Sequence, residues 1–200
     1  MALAVCHFNR IGYRTRAKEF LMATHAMIDL ETLDTRPQCT VLSLGAVKFD
    51  PFSDAEPHSE LYLKIDVDDQ NRLGRTTSDD TIAWWAKQDP KAMEEAFDQT
   101  GAVTVEQALE QLTKWIWGAD KIWGHGYGFD LTIIEDMYRS LGRPIPYNFW
   151  QVLDSRTLFS VLPNGDPRKK MQTDLHNALA DAYYQAKSVQ VAYQELGVTR

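Results

Sequence analysis

The order of segments predicts a mixed α/β fold, in which a central sheet begins as an antiparallel meander, goes on to parallel strands and carries helices on its faces. Three observations predict it. Three apolar, strand-like stretches follow one another between residues 24 and 65 with short connections. From residue 78 onward, segments with helical spacing alternate with short apolar runs. A chain of 200 residues is also long enough to bury a real core in a single domain.

Residues 24–30 read as the first strand. Residues 40–49, with Val41, Leu42, Leu44, Val47 and Phe49, read as a second, apolar on both faces. Asp50-Pro51 ends it, residues 50–60 form a polar loop, and residues 60–65 read as a third strand. Ser78 is placed to cap a helix over residues 81–88, and Pro90 opens another turn. Thr104 and Gln107 stand in capping-box positions before Val105, Leu109, Leu112, Trp115 and Ile116, which share one helical face. A short strand over residues 121–124 precedes a helix over 129–141 with Leu131, Ile134, Tyr138 and Leu141 in a stripe. Pro144 and Pro146 break the chain before a strand or loop near Val152 and a short helix over 156–162. Residues 164–170 read as a loop. The last helix is expected over residues 175–196, with Leu179, Ala182, Ala186, Val189, Tyr193 and Leu196 buried.

Composition narrows the class. The apolar fraction is 44%, ordinary for a globular protein, and no run approaches the ~18 apolar residues of a membrane span. Cys6 and Cys39 stand far apart, which fits a reducing compartment, and we expect a cytoplasmic protein without a membrane partner. Residues 1–22, with Arg10, Arg14, Arg16 and Lys18, lack a secretory core and read as a non-catalytic extension, with Met22 a possible true start. Residues 23–200 then form the working domain. A net charge of −7 argues against a broadly basic nucleic-acid groove, but the objection is weak if substrate meets a bound cation. Arg168-Lys169-Lys170 is the clearest basic cluster and a candidate phosphate contact.

The chemistry concentrates in three stretches. Asp29 and Glu31, one residue apart in the first strand, point to the same face, and such a pair at the edge of a core is costly without a cation between its oxygens. Trp123-Gly124-His125-Gly126-Tyr127-Gly128-Phe129-Asp130 is a glycine-rich strand-to-helix turn, the kind of junction where α/β sites collect. Its glycines match neither a dinucleotide fingerprint nor a P-loop. In His176-Asn177-Ala178-Leu179-Ala180-Asp181 the ends lie about 140° apart on a regular helix. Both can face one site only if His176 sits at a loop–helix junction, with Thr173 or Asp174 as the cap. No serine-hydrolase elbow or zinc-protease motif occurs.

Together, Asp29-x-Glu31, Gly128-Phe129-Asp130 and His176-x-x-x-x-Asp181 resemble the histidine branch of the DEDD superfamily of 3′–5′ exonucleases. The tyrosine branch would have Tyr where this chain has Asn177. The similarity is closest to the phage-encoded exonuclease A group, related to a mycobacterial 3′–5′ exoribonuclease. Leu44-Gly45-Ala46-Val47-Lys48-Phe49-Asp50, the Thr81–Gln88 segment with Trp84-Trp85, and Asp154-Ser155-Arg156-Thr157-Leu158 also look like that group. His125 departs from it, since such proteins often carry Asn there.

The resemblance implies a ribonuclease H-like fold and two Mg²⁺ or Mn²⁺ ions roughly 4 Å apart. By the same analogy Asp29 bridges both ions, Glu31 and Asp130 help hold one, and Asp181 holds the other. His176 would be general base for a metal-bound water attacking the 3′-terminal phosphodiester and releasing a 5′-mononucleotide. The expected partner is single-stranded DNA or RNA with a free 3′ end, and relatives suggest a homodimer. Thr32, Leu33 and Phe129 are candidates to grip the last nucleotide. Trp84 and Trp85 are candidates to stack on bases, although adjacent residues on a helix diverge by about 100°, so one belongs to the core. Asp154 is a rival carboxylate that reads better as a helix cap. Two other readings are a catalytically silent binding module on the same fold and a small-molecule phosphoesterase.

Overall fold

The computed structural model describes residues 24–126, 128–171 and 176–200. Residues 1–22, Tyr127 and the two proposed caps Thr173 and Asp174 lie outside the described residues. The sheet contains β1 (His25–Thr32), β2 (Val41–Phe49), β3 (His58–Lys64), β4 (Lys121–Gly124) and β5 (Val152–Asp154). Its spatial order is β3-β2-β1-β4-β5. β1 pairs antiparallel with β2 and β2 with β3, while β4 runs parallel to β1 and β5 parallel to β4. The meander and the switch to parallel pairing match the sequence reading, and β1 lies at the centre.

Alternation along β1 sorts its side chains onto two helical layers. Ala26, Ile28 and Leu30 pack with Val105, Leu109 and Leu112 of α4 (Val105–Ile116) and Leu131 and Ile134 of α5 (Asp130–Ser140). Met27 packs the other way, with Ala182, Ala186 and Val189 of α7 (Ala178–Glu195) and Phe159 of α6 (Ser155–Ser160). Asp29 and Glu31 share Met27's parity and therefore face α7.

Local chemistry sets the element ends. Thr104 Oγ1 accepts the Gln107 N–H at 3.3 Å while Gln107 Oε1 accepts the Thr104 N–H at 3.1 Å, closing the expected capping box. Asp89 caps α3 (Pro90–Phe97) through the Lys91 N–H, with Pro90 in the first turn. Ser78 precedes α2 (Asp79–Trp85), but its side chain makes no cap bond.

Four points differ from the sequence reading. Leu196, expected in the buried stripe, is 41% exposed at the C-cap of the last helix. The last helix begins at Ala178, not residue 175, because Asn177 Oδ1 accepts the N–H groups of both Leu179 and Ala180 at 3.1 Å. The 164–170 loop ends in a 3-10 turn, Pro167–Lys170, capped by Asp166. A helix unforeseen from sequence, α1 (Val67–Arg72), follows β3. It has no apolar stripe, and its buried residue is Gln70. The Gln70 amide closes both hydrogen bonds with Val41, donating to its carbonyl at 2.7 Å and accepting its N–H at 2.8 Å. Among the described residues no helix is long and apolar enough to cross a membrane.

His25, at the start of β1, is 5% exposed and accepts the Trp123 indole N–H at 2.9 Å through Nδ1. Burial, only partly offset by Asp120 and Asp50, pushes its pKa down to about 4. A histidine kept neutral when folded takes up a proton on unfolding below its ordinary pKa near 6.5, so its stabilising contribution is lost as pH falls from there towards 4. We expect wild type to lose about 2 kcal/mol relative to His25→Gln between about pH 7 and pH 5. Denaturant titrations at both values check it; a pH-independent difference would mean that His25 is not held neutral.

Candidate active site

The register of the central pair places the acidic strand. Asp29 lies opposite Gly45 and Glu31 opposite Ser43, and the register shifts at the site before Thr32 pairs with Val41. Gly45 has a defined purpose: a Cβ there would lie 2.1 Å from the backbone C of Ala178 and from the N of Leu179. The first turn of α7 therefore rests directly on β2 beside Asp29, and that turn carries Asp181. Carboxylate oxygens of Asp29, Glu31 and Asp181 all lie within 4.8 Å of one another.

Asp130 joins from the other layer. It is 2% exposed in the first turn of α5, and its Oδ2 accepts the His125 N–H at 3.1 Å. A Cβ on Gly124 would come within 3.2 Å of that oxygen, so glycine leaves room for the carboxylate. It stands beside the compact trio, and its charge bears on both Asp29 and Glu31.

Four acids this close in a buried site resist ionising together. Burial first, then repulsion from Asp130, Glu31 and Asp181, holds the Asp29 carboxyl well above the usual range. Burial, then Asp181 and Asp130, pushes Glu31 up to about 8, and burial takes Asp130 to about 7. Asp181 is raised by burial and eased downward by His176 and Arg168. An all-oxygen, strongly acidic donor set fits a hard divalent cation, which would relieve the repulsion.

The sign of the pH dependence follows. Above the ordinary carboxylate range the metal-free folded protein binds more protons here than the unfolded chain, so this site costs stability as pH rises towards 8. A cation needs the charged forms and displaces those protons. The Mg²⁺-induced rise in Tm is therefore expected to grow from about pH 5.5 to about pH 8, with proton release measurable by calorimetry in buffers of different ionisation enthalpy. A rise in Tm that shrinks with pH would contradict the ligand set.

His176 precedes the Asn177 cap with φ of +62°, in the left-handed region. That turn brings it off the helix axis, the junction geometry the sequence required. Its ring stands edge-to-face with Trp84 (centroids 4.8 Å) and Trp85 (5.8 Å). The two tryptophans split as the helix geometry demands. Trp85 is 1% exposed and its indole N–H donates to the Thr32 carbonyl at 2.9 Å, whereas Trp84 is 43% exposed. A cleft of about 470 Å³ opens here, with Leu30, Glu31, Thr32, Trp84, Trp85 and Phe129 among its walls. Leu33 is the exception: it is buried with Leu42, Trp85 and Ala96 and is not among the residues that wall the cleft.

Two supporting residues escaped the sequence reading and one was undervalued. Gln185, 4% exposed on α7, donates from Nε2 to Asp29 Oδ1 at 2.7 Å and fixes that carboxylate. Gly45 was visible only as part of a motif. Asp154 does cap α6 through the Arg156 N–H, and the same oxygen accepts the Gly126 N–H at 3.0 Å, tying down the turn before Asp130.

The sequence profile of the 3'-5' exoribonuclease Rv2179c-like domain matches residues 24–193. The chain belongs to this family. Solved structures agree on the fold. Cell-death related nuclease 4 (CRN-4) superposes with a TM-score of 0.62 at 16% identity, covering 88% of this chain and 65% of that one. The nuclease domain of 3'hExo, a DEDDh family member bound to rAMP, gives 0.55 at 16% identity, covering 88% and 94%. Among curated protein sequences, none matches the chain closely enough to count as a relative. The fold is thus ribonuclease H-like and the family one of nucleases, as the motifs implied.

Proposed function

We propose that this exoribonuclease-family domain is a metal-dependent 3′–5′ exonuclease that removes 5′-mononucleotides from single-stranded RNA or DNA. The observation that carries the reading is the convergence of Asp29, Glu31 and Asp181, with Asp130 and His176 beside them, next to the cleft that Glu31 lines. Asp29, Glu31 and Asp181, with Asp130 alongside, would hold the Mg²⁺ or Mn²⁺. When bound, such ions supply Lewis-acid stabilisation of charge on the phosphoryl, attacking and leaving oxygens.

The chain's own groups do the rest. The imidazole of His176 accepts the proton of the attacking water, acting as general base through a ring nitrogen. Trp84 and Trp85 hold that ring against free rotation. Gln185 keeps Asp29 in one rotamer. The apolar and aromatic walls at Leu30, Trp84 and Phe129 receive the terminal nucleotide, with Thr32 at the edge. Against a silent binding module stands the retention of all five polar residues; a module that only bound would not need a cluster this costly to bury.

Digestion of matched 5′-labelled single-stranded RNA and DNA with Mg²⁺ tests the reading. A ladder shortening from the 3′ end supports it, and the faster polymer identifies the preferred sugar. Folded, metal-loaded protein that degrades neither would sink it. Residues 23–200 are proposed as the exonuclease domain, so deleting residues 1–21 should leave the ladder unchanged; a folded but inactive truncation would overturn that part.

A further inference from the structure

A second cleft opens on the other side of the acidic cluster. It measures about 250 Å³ and is walled by Asp166, Arg168, Lys169, Asp181, Tyr184 and Gln185. Glu31 lines the first cleft and Asp181 the second, so the metal ligands lie between the two. The walls differ in chemistry. The first is aromatic and apolar, whereas the second holds two of the three residues in the sequence's single run of three consecutive cations, Arg168-Lys169-Lys170.

That run is held in place. Asp166 caps its 3-10 turn and takes the Arg168 guanidinium at 2.7 Å, and the guanidinium lies 5.8 Å from the Phe159 ring centroid. Arg168 is near enough to lower the pKa of both Asp181 and His125. Lys169 and Lys170 are exposed and have no ion-pair partner among the described residues. At the back of the cleft, Gln185 is 4% exposed and its Oε1 has no hydrogen-bond partner. The two carboxylates of this cleft, Asp166 and Asp181, are matched by Arg168 and Lys169, and with Arg168 held by Asp166 the amine of Lys169 is the cation left to meet a ligand beside Asp181.

We propose that this second cleft receives the phosphodiester backbone immediately upstream of the terminal nucleotide, with Arg168 and Lys169 against its phosphates. The inference rests on the exonuclease reading. An exonuclease holds the departing nucleotide on one side of the scissile bond and the remaining strand on the other. A base needs a flat apolar wall and a backbone needs cations, which assigns the two clefts. The preferred substrate is then an oligonucleotide of several residues, and a dinucleotide engages the site only in part.

Equilibrium binding separates this from the activity itself. Fluorescence anisotropy is measured on the full chain with 5′-labelled single strands of two, four and eight nucleotides, with Ca²⁺ replacing Mg²⁺. Affinity is expected to rise about tenfold or more from two to eight nucleotides, and Lys169→Ala to remove most of that gain. In the same variant the slope of log Kd against log salt should fall by about 0.7, the increment for one phosphate left unneutralised on a single strand, while Lys169→Arg restores both. Lys91→Ala, on α3, serves as a surface-charge control and should change neither. Equal affinity at all lengths, or a length gain that survives in Lys169→Ala, overturns the proposal. A wild type that degrades the eight-mer with Mg²⁺ yet shows no length gain would remove this cleft and leave the nuclease reading standing. A wild type that degrades nothing would remove the nuclease reading and this inference with it.

Discussion

Asp181→Asn is expected to fold, to lose at least about 10³-fold in kcat with Mg²⁺, and to be no less stable than wild type in chelator. The three outcomes share one cause. Asp181 contributes a carboxylate oxygen to a trio within 4.8 Å, and an amide offers a neutral oxygen of nearly the same shape. Losing one of three close charged ligands weakens cation binding, and several kcal/mol of charge stabilisation corresponds to about three decades in rate at ~1.4 kcal/mol each. Without metal the sign reverses. Asp181 is the leading charge that raises Glu31 to about 8 and also raises Asp29, so Asn relieves a repulsion. A merely structural defect would lower Tm with and without metal. A lost Mg²⁺-induced shift together with an unchanged or higher Tm in chelator is the signature of a ligand. Full activity in a folded Asp181→Asn protein would refute the assignment.

What could be read from sequence and what could not divides along a physical line. The residues that would perform chemistry are constrained in type, so Asp29, Glu31, Asp130, His176 and Asp181 stand out even in a single chain. Parity along β1 also told that Asp29 and Glu31 share one face, and the 140° argument required His176 to sit off the helix, where its positive φ puts it. The residues that hold these groups act through contacts between distant segments, which no local pattern records. Gln185 falls within the buried stripe of α7, between Ala182 and Ala186, and there it looks like a polar interruption; only the packing of α7 on β1 reveals its bond to Asp29. The helix α1 escaped because its buried side chain is a glutamine satisfying Val41, so it lacks the apolar periodicity that marks other helices. Leu33 shows the converse: its place next to Thr32 suggested the site, while its side chain packs in the core with Leu42, Trp85 and Ala96.

Gly45→Ala is the smallest change expected to disable the site without touching a polar group. Glycine here is required by space, since its φ is not among the positive ones and alanine could adopt the local backbone. The added methyl would meet backbone atoms of Ala178 and Leu179 at 2.1 Å, and backbone in a helix's first turn cannot rotate aside as a side chain could. Ordinary contact needs a retreat of over about 1 Å by α7 or β2. Asp181 lies in that same turn and Asp29 is Gly45's cross-strand neighbour, so the retreat opens the carboxylate trio directly. Displacements of this size cost on the order of 10²-fold in rate when they separate reacting groups. The overpacking itself should cost about 1–3 kcal/mol or more. Gly128→Ala is the matched contrast for stability, because nothing lies within 4 Å of its Cβ position and its φ is unexceptional. The expected result is a Gly45→Ala protein with lowered Tm, a diminished Mg²⁺-induced shift and activity down about 10²-fold. A variant with wild-type Tm and metal response would show that α7 is not seated on β2 as described, and with it the placement of Asp181 against Asp29 would fall.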